Sequence, residues 1–238
     1  MRVGHRPAEN TLSVTVSESL LPVLPEVLAR IKNLFDLYCE PKAVYETLQV
    51  MNTLQPGLCV LGTRLPGCFN VFEMSVRAVL GQQITVKAAS TLAARLVAVY
   101  GTQVQTGIEG LTHSFPAPAA ILALGENISE HLGKLGIISA RANTIYQLAR
   151  VLADEKNDFG FCGNPEEEMQ KLQAIRGIGS WTAQYIAMRA MGWPDAFLPT
   201  DAGIKKALPD HTPKELQVLS EAWRPWRSYA TVNLWNTL

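Results

Sequence analysis

Residues 11–17, Thr11-Leu12-Ser13-Val14-Thr15-Val16-Ser17, alternate polar and apolar, the period-two pattern of a half-buried strand. From residue 20 to 38 the period changes. Leu24, Val27, Leu28, Ile31, Leu34, Phe35 and Tyr38 recur at helical spacing, which predicts one amphipathic helix. Beyond Pro41 helical patterning dominates. Helices are predicted over residues 41–54, 71–80, 85–100, 117–124, 139–154, 165–175, 180–191, 203–208, 213–223 and 226–236. Breakers separate them: Pro56-Gly57, Pro66-Gly67, Phe115-Pro116, Gly160, Gly163-Asn164-Pro165 and Trp193-Pro194. No internal repeat and no low-complexity tract is present. The expected fold class is mainly α, a helical body preceded by a short α/β segment of one strand and one helix.

Composition narrows the class. The chain has 238 residues, 47% apolar and 18% charged, which suits one or two globular domains and excludes a disordered chain. The apolar runs, such as residues 96–100 and 119–124, are far too short to span a membrane. The N-terminus, Met1-Arg2-Val3-Gly4-His5-Arg6, is basic but no apolar stretch follows, so no secretory signal is expected. Four cysteines, Cys39, Cys59, Cys68 and Cys162, stand scattered, with no C-x-x-C pair and no histidine pair at zinc spacing. That argues against a zinc site or an iron–sulfur cluster and for reduced thiols. Net charge is zero, with 21 basic and 21 acidic residues. Any nucleic-acid contact must therefore rely on a local surface rather than on overall charge.

The run Leu172-Gln173-Ala174-Ile175-Arg176-Gly177-Ile178-Gly179-Ser180-Trp181-Thr182-Ala183 carries candidate chemistry. One helix ends in a turn with two glycines and a second opens at once. Glycines allow a tight turn and close approach of another molecule, and the exposed N–H groups opening the second helix form a seat for an anion. Only Arg176 in the turn is basic, so the seat suits a phosphate gripped by backbone. Taken alone the pattern also fits a plain helix junction. Twenty residues beyond Trp181, Asp201 follows the apolar stretch Phe197-Leu198-Pro199 and stands at a helix start. Read from the residues alone, Asp201 is either a helix cap or a carboxylate at the rim of a pocket.

A double-glycine hairpin, a proline-containing apolar stretch and then an aspartate resemble the signature of the helix-hairpin-helix DNA glycosylase superfamily. Within it the chain resembles the DNA-3-methyladenine glycosylase II (AlkA) group. Three segments carry the likeness: Arg77-Ala78-Val79-Leu80-Gly81-Gln82-Gln83-Ile84-Thr85, the hairpin through Tyr185, and Trp223-Arg224-Pro225-Trp226-Arg227-Ser228-Tyr229-Ala230. The resemblance runs from about Thr11 to the end. It implies a two-lobed helical helix-hairpin-helix glycosylase body: residues 71–190 as the lobe with the hairpin, and residues 47–70 plus 191–238 as a second lobe. The active-site cleft is expected between them, with residues 1–46 as the remnant of an N-terminal α/β domain.

The resemblance also assigns roles. Asp201 matches the catalytic aspartate, which stabilises the oxocarbenium-like sugar and helps position water. Trp181, Tyr185 and Trp235 match aromatic positions of the base pocket, whose electron-rich faces favour a cationic alkylated purine. Trp223, Trp226 and Tyr229 are expected to pack the interior. Strand-cleaving members carry a lysine in the G-x-G-x-Lys-Thr-Ala pattern. Trp181 stands there, so no amine can form a Schiff base, and a monofunctional enzyme without AP lyase activity is expected. Gln82, Gln83 and Ile84 match the turn that fills the gap left by a flipped nucleotide, with Gln83 and Ile84 both candidates for the wedge. Gly177, Gly179 and Thr182 belong to the DNA-binding hairpin. Carbonyls of Gln173, Ile175 and Ile178 are the implied ligands of a structural Na+ or K+ at the hairpin, and no catalytic cofactor is expected. Arg176 stands where proline is frequent.

The implied partner is double-stranded DNA with damaged bases, with no membrane involved, and a monomer acting in the cytoplasm on the nucleoid is expected. The family implies a fuller N-terminal domain of two similar halves. Only its last strand and helix are expected here, leaving an unpaired strand edge at residues 11–17, and the chain is expected to be either a naturally short form or an incomplete one. Two other readings compete: a non-catalytic helix-hairpin-helix DNA-binding module, and a helical interaction scaffold. Asp201 with its aromatic set favours the enzyme over the module; Gly177-Ile178-Gly179 and Lys205-Lys206 speak against the scaffold.

Overall fold

A computed structural model of the chain describes residues 1–153 and 164–238. Asp154, Gly160, Cys162 and Gly163, used above, lie outside the described residues. The chain opens with a hairpin. β1 (Arg2–Arg6) pairs antiparallel with β2 (Thr11–Thr15), placing Val3 opposite Val14. The expectation of an unpartnered strand at residues 11–17 is therefore corrected on one edge. β1 escapes sequence reading because Arg2-Val3-Gly4-His5-Arg6 has a single large apolar residue and no alternation. Pro7–Glu9 form a 3-10 turn closed by Asn10 at φ 50, a left-handed conformation that asparagine tolerates better than most residues.

The predicted helix over 20–38 divides. Pro22 lies in a 3-10 turn, Glu18–Val23, and Pro25 opens α1 (Leu24–Leu34), of which only Val27 and Ile31 are buried. α2 (Pro41–Leu48) runs into a second 3-10 turn at Gln49–Thr53. α3 (Val71–Leu80) and α4 (Val86–Tyr100) are capped by Asn70 and Thr85, which accept the backbone N–H groups of Glu73 and Ala88. α5 (Pro118–Leu122), α6 (Ile128–Gly133) and α7 (Ser139–Leu152) follow. α6 has six residues between Gly125 and Gly136, too few to display a helical period, and sequence reading misses it. The remaining helices are α8 (Pro165–Gln173), α9 (Ser180–Arg189), α10 (Ala202–Ala207), α11 (Pro213–Leu219) and α12 (Arg227–Trp235). α11 carries a full capping box between Thr212 and Glu215.

Two apolar cores organise these helices. The first joins α3 to α9 through Val76, Leu80, Leu96, Ile121, Ile145 and Leu172. The second joins α2, α10, α11 and α12 through Leu48, Met51, Leu58, Phe197, Ile204, Leu216 and Leu234. Tyr185 of α9 packs against both, so α9 forms the seam. The second core closes on residues far apart in sequence. The Asn233 side-chain oxygen accepts Val60 N–H at 3.1 Å and the Thr63 hydroxyl at 2.8 Å. Asp36, in the left-handed region at φ 53, accepts Leu65 N–H and the Tyr229 hydroxyl, both at 2.9 Å. Burial pushes the Tyr229 phenol far above the usual tyrosine range and also raises the Cys39 thiol. Trp223 and Trp226 pack edge-on against Phe197 and Tyr229. Among the described residues no three His, Cys, Asp or Glu side chains gather as a metal site, and no helix is long and apolar enough to cross a membrane.

The approach to α10 is anchored by an ion pair. Arg227 of α12 donates from Nε to Asp195 Oδ1 at 2.7 Å and from Nη2 to Asp195 Oδ2 at 2.9 Å, with both residues buried. Arg224 pairs with the same carboxylate. Removing Asp195 leaves the buried Arg227 guanidinium with Glu221, at 3.4 Å, as its remaining carboxylate contact, which costs about 3 kcal/mol. Asp195→Ala is expected to destabilise the fold by that amount, and a shift in the urea midpoint at unchanged slope measures it.

Candidate active site

The hairpin is built by α8, the turn from Ala174 to Gly179, and α9. Gly177 has φ 96, and a Cβ there would lie 2.0 Å from the Thr144 hydroxyl oxygen. That hydroxyl sits 2.9 Å from Arg176 O and 3.0 Å from Ala140 O, so α7 clamps the turn. No other residue type fits at 177 without moving Thr144. The side chains of Ile175 and Ile178 point into the first core, and Ile178 N–H donates to Ile175 O at 3.0 Å. Gly179 precedes α9 with extended backbone, no side chain caps the helix, and the space a Cβ would enter is open. The first N–H groups of α9 thus face outward beside an unobstructed backbone.

The turn after α3 is tied to this hairpin. Gln82 Nε2 donates to Gly177 O and to the Thr182 hydroxyl, both at 2.9 Å, and the Arg141 guanidinium donates to Gln82 O. Held on both sides, Gln82 is part of the scaffold. Gln83 is exposed at φ 55, while Ile84 is half-buried. Gln82 thus joins the turn that carries Gln83 and Ile84 to Gly177 and to the buried Thr182, close in sequence to Gly179, while Ile175 and Ile178 lie in the hairpin turn and Gln173 ends α8.

Asp201 is the N-cap of α10. Its Oδ1 accepts Gly203 N–H at 2.9 Å and Ile204 N–H at 3.1 Å. It does more than cap. Trp235 Nε1 donates to the same oxygen at 2.8 Å, and Trp181 Nε1 donates to Oδ2 at 3.1 Å. Asp201 as a whole is 9% exposed. Its hydrogen-bond donors are two backbone amides and two indoles. Oδ2 has one such partner, which leaves it lone-pair capacity for a bound group.

Around it stand the aromatic rings. Trp181 and Tyr185, one turn apart on α9, stack with centroids 5.2 Å apart and planes 8° from parallel. Trp235 of α12 lies 6.3 Å from Tyr185 at 50°. Asp201, Trp181, Tyr185 and Trp235 therefore meet in one cluster drawn from α9, α10 and α12. A partly buried carboxylate among electron-rich rings can stabilise positive charge developing on a bound group.

Sequence reasoning missed several supports. A Cβ at Gly203 would lie 2.7 Å from Trp235 Cδ1 and 2.9 Å from its Nε1, so the bare backbone there is what lets the indole reach Asp201. Gln184 accepts Phe197 N–H at 3.2 Å and thereby fixes the strand-like approach to Asp201. Arg189 lies over Tyr185 with Cζ 5.9 Å from the ring centroid. Gln184 and Gly203 act on residues of other segments, which no local pattern marks, whereas Arg189 and Tyr185 stand one turn apart on α9. Gly203 alone had a signal, as a glycine inside a predicted helix.

The AlkA N-terminal domain family matches residues 1–70, and the HhH-GPD superfamily of base excision DNA repair proteins matches residues 76–227. The chain is 38% identical over 230 residues to DNA-3-methyladenine glycosylase 2 of Escherichia coli (strain K12), covering 97% of this chain and 78% of that protein. The structure of a 3-methyladenine DNA-glycosylase from Archaeoglobus fulgidus superposes with TM-score 0.73 at 21% identity, over 94% of this chain and 77% of that one. An 8-oxoguanine glycosylase/lyase from Clostridium acetobutylicum, solved with double-stranded DNA, gives TM-score 0.76 at 17% identity, over 99% and 80%. The last two share the fold.

The bare backbone at 203 generates a test. Gly203→Ala forces Trp235 away from Asp201 and is expected to destabilise by about 1–3 kcal/mol through overpacking. Near-ultraviolet circular dichroism should change with it as the indole moves.

Proposed function

This chain belongs to the HhH-GPD superfamily of base excision DNA repair proteins and is a glycosylase of that family, and we propose that it releases alkylated purines from duplex DNA without cutting the strand. The observation that carries the proposal is the Asp201 carboxylate, held by N–H donors alone beside three aromatic rings. A pure DNA-binding module has no use for such a group.

In the proposed reaction the damaged nucleotide is turned out of the stack and its base enters beside Trp181, Tyr185 and Trp235. Alkylation at a purine ring nitrogen makes the base cationic, and an aromatic face attracts that cation. The same positive charge makes the base a good leaving group. As the bond between the base nitrogen and C1′ breaks, its electron pair leaves with the base and the sugar becomes oxocarbenium-like. Asp201 stabilises that cation and orients a water, whose oxygen bonds to C1′ as its proton passes to solvent water. The products are free base and an intact abasic strand. Trp181 occupies the position of the lysine that strand-cleaving members use, so no Schiff base forms. The likeness to DNA-3-methyladenine glycosylase 2 and the fit of a cation to this pocket support 3-methyladenine and related alkylpurines as substrates.

Gln83 is the proposed wedge. It stands exposed at the tip of a turn braced by Gln82 and Arg141, whereas Ile84 is half-buried. The outward N–H groups at the start of α9 would hold a phosphate of the same strand. A monovalent cation is proposed at the adjoining turn, held by the carbonyls of Gln173, Ile175 and Ile178. With Ile175 and Ile178 turned inward, their carbonyls and that of Gln173 belong to backbone alone, and a carbonyl already accepting one bond keeps a second lone pair. Such an ion would bridge the turn to a phosphate. The protein is proposed to work as a monomer, and a chromosomal substrate implies the cytoplasm, at the nucleoid.

Three measurements check this reading. Methylated duplex DNA should yield free 3-methyladenine and abasic sites that break only on alkali treatment, with no borohydride-trapped complex. Asp201→Asn should slow release by about a hundredfold or more while duplex binding persists. Gln83→Ala should slow release from duplex by about tenfold, since holding a base out of the stack requires a few kcal/mol, and Ile84→Ala should matter less. Retained release in Asp201→Asn would remove the proposed mechanism.

A further inference from the structure

Buried carboxylates are rare without a cationic partner. Asp201 has four N–H donors, all neutral. Two come from the backbone of its own helix. The other two are indoles from different helices, Trp181 of α9 on Oδ2 and Trp235 of α12 on Oδ1. Each indole is itself held in place: Trp181 by its parallel stack on Tyr185, and Trp235 by a seat left open at Gly203. We propose that Trp181 and Trp235 are positioning residues whose N–H groups clamp the two oxygens of Asp201 without neutralising its charge. This rests on the reading of Asp201 as the carboxylate that stabilises the sugar cation, and it gives the two indoles a task beyond lining the base pocket.

The physical case is a choice between donors. An arginine or lysine would orient the carboxylate equally well but would cancel the charge that the developing cation needs. An indole donates one N–H and carries no charge. The charged and titratable groups on the packed elements are otherwise engaged or distant in the fold. Arg189 and the Tyr185 ring pair with each other on α9. Lys205 and Lys206 are exposed in the last turn of α10. On α12, Arg227 is bound to Asp195 and Tyr229 to Asp36. Because Trp181 lies in the first turn of α9, the clamp also links the hairpin backbone to the carboxylate through one side chain.

The test removes the N–H and keeps the ring. Trp235→Phe and Trp181→Phe do so approximately. Benzothienylalanine at either position, with sulfur in place of the indole N–H, does so at nearly constant shape. Three quantities are read: single-turnover release of 7-methylguanine against pH, affinity for duplex containing a tetrahydrofuran abasic analogue, and the carbon-13 titration of the Asp201 carboxyl in free protein. Release at neutral pH should fall about tenfold for each lost bond to a charged group. A carboxylate that loses a donor holds its proton to higher pH, so the acid limb of the rate profile and the carboxyl titration should both move upward. Tetrahydrofuran-duplex affinity should not change. Unchanged release and an unmoved titration in the benzothienylalanine proteins overturn the proposal. So does a loss of release matched by a loss of duplex affinity with the titration unmoved, which would be packing alone. A carboxyl titration that moves in a protein whose wild type releases no base sustains the clamp and removes the glycosylase reading instead.

Discussion

The Asp201 carboxylate has to be satisfied by hydrogen bonds, because it is largely withdrawn from water and has no cation bonded to it. Its four donors come from three helices, and that requirement sets the mutual positions of α9, α10 and α12. α10 is only six residues long and would have little stability alone. Its orientation follows from the cap at its start, from Ile204 in the second core, and from Trp235 lying against Gly203. The residue that closes the helix is also the residue proposed to meet the substrate, so structure and chemistry draw on the same two oxygens.

The two cores serve this arrangement from opposite sides. The first holds α7 and α9, and through Thr144 fixes the Gly177 turn. The second holds α10 and α12 and is closed by segments from the start of the chain, where Asp36 bonds Tyr229 and the Val60 and Thr63 groups bond Asn233. These are part-buried polar links with their partners in place, the condition under which such groups specify one geometry instead of weakening the interior. The Asp195–Arg227 pair adds a further fixed point just ahead of the apolar stretch that leads into Asp201.

A chain with no net charge has little long-range pull on DNA. Its hairpin surface is built mostly from backbone: a turn that excludes a side chain at 177, an open approach at 179, and an uncapped start to α9. Backbone N–H groups grip a phosphate at contact range without a field extending far from the surface. Such a surface fits the role proposed for the hairpin, a grip on one phosphate at close range.

Helical periodicity carried most of the fold. The ranges expected from residue 71 onward fall within a few residues of α3 to α5 and α7 to α12, because apolar residues recur at helical spacing in most of them and prolines or glycines mark several of their boundaries. β1 and α6 were not legible, since five and six residues leave too short a pattern, and the 20–38 prediction overran two prolines. For the site, the sequence determined the residue types: a glycine hairpin, an aspartate at a helix start, and a set of aromatics. Residue-level reading left Asp201 open between a cap and a pocket carboxylate, and the tertiary structure shows that the cap is also the carboxylate bonded by two indoles. That outcome depends on contacts spanning 20 and 34 residues, and the bracing of the hairpin depends on Gln82 reaching across 95. Local preference acts over a turn or two of chain. Which distant side chains meet is decided only when the helices pack, since each bond requires partners on separate helices to be placed together by a shared core.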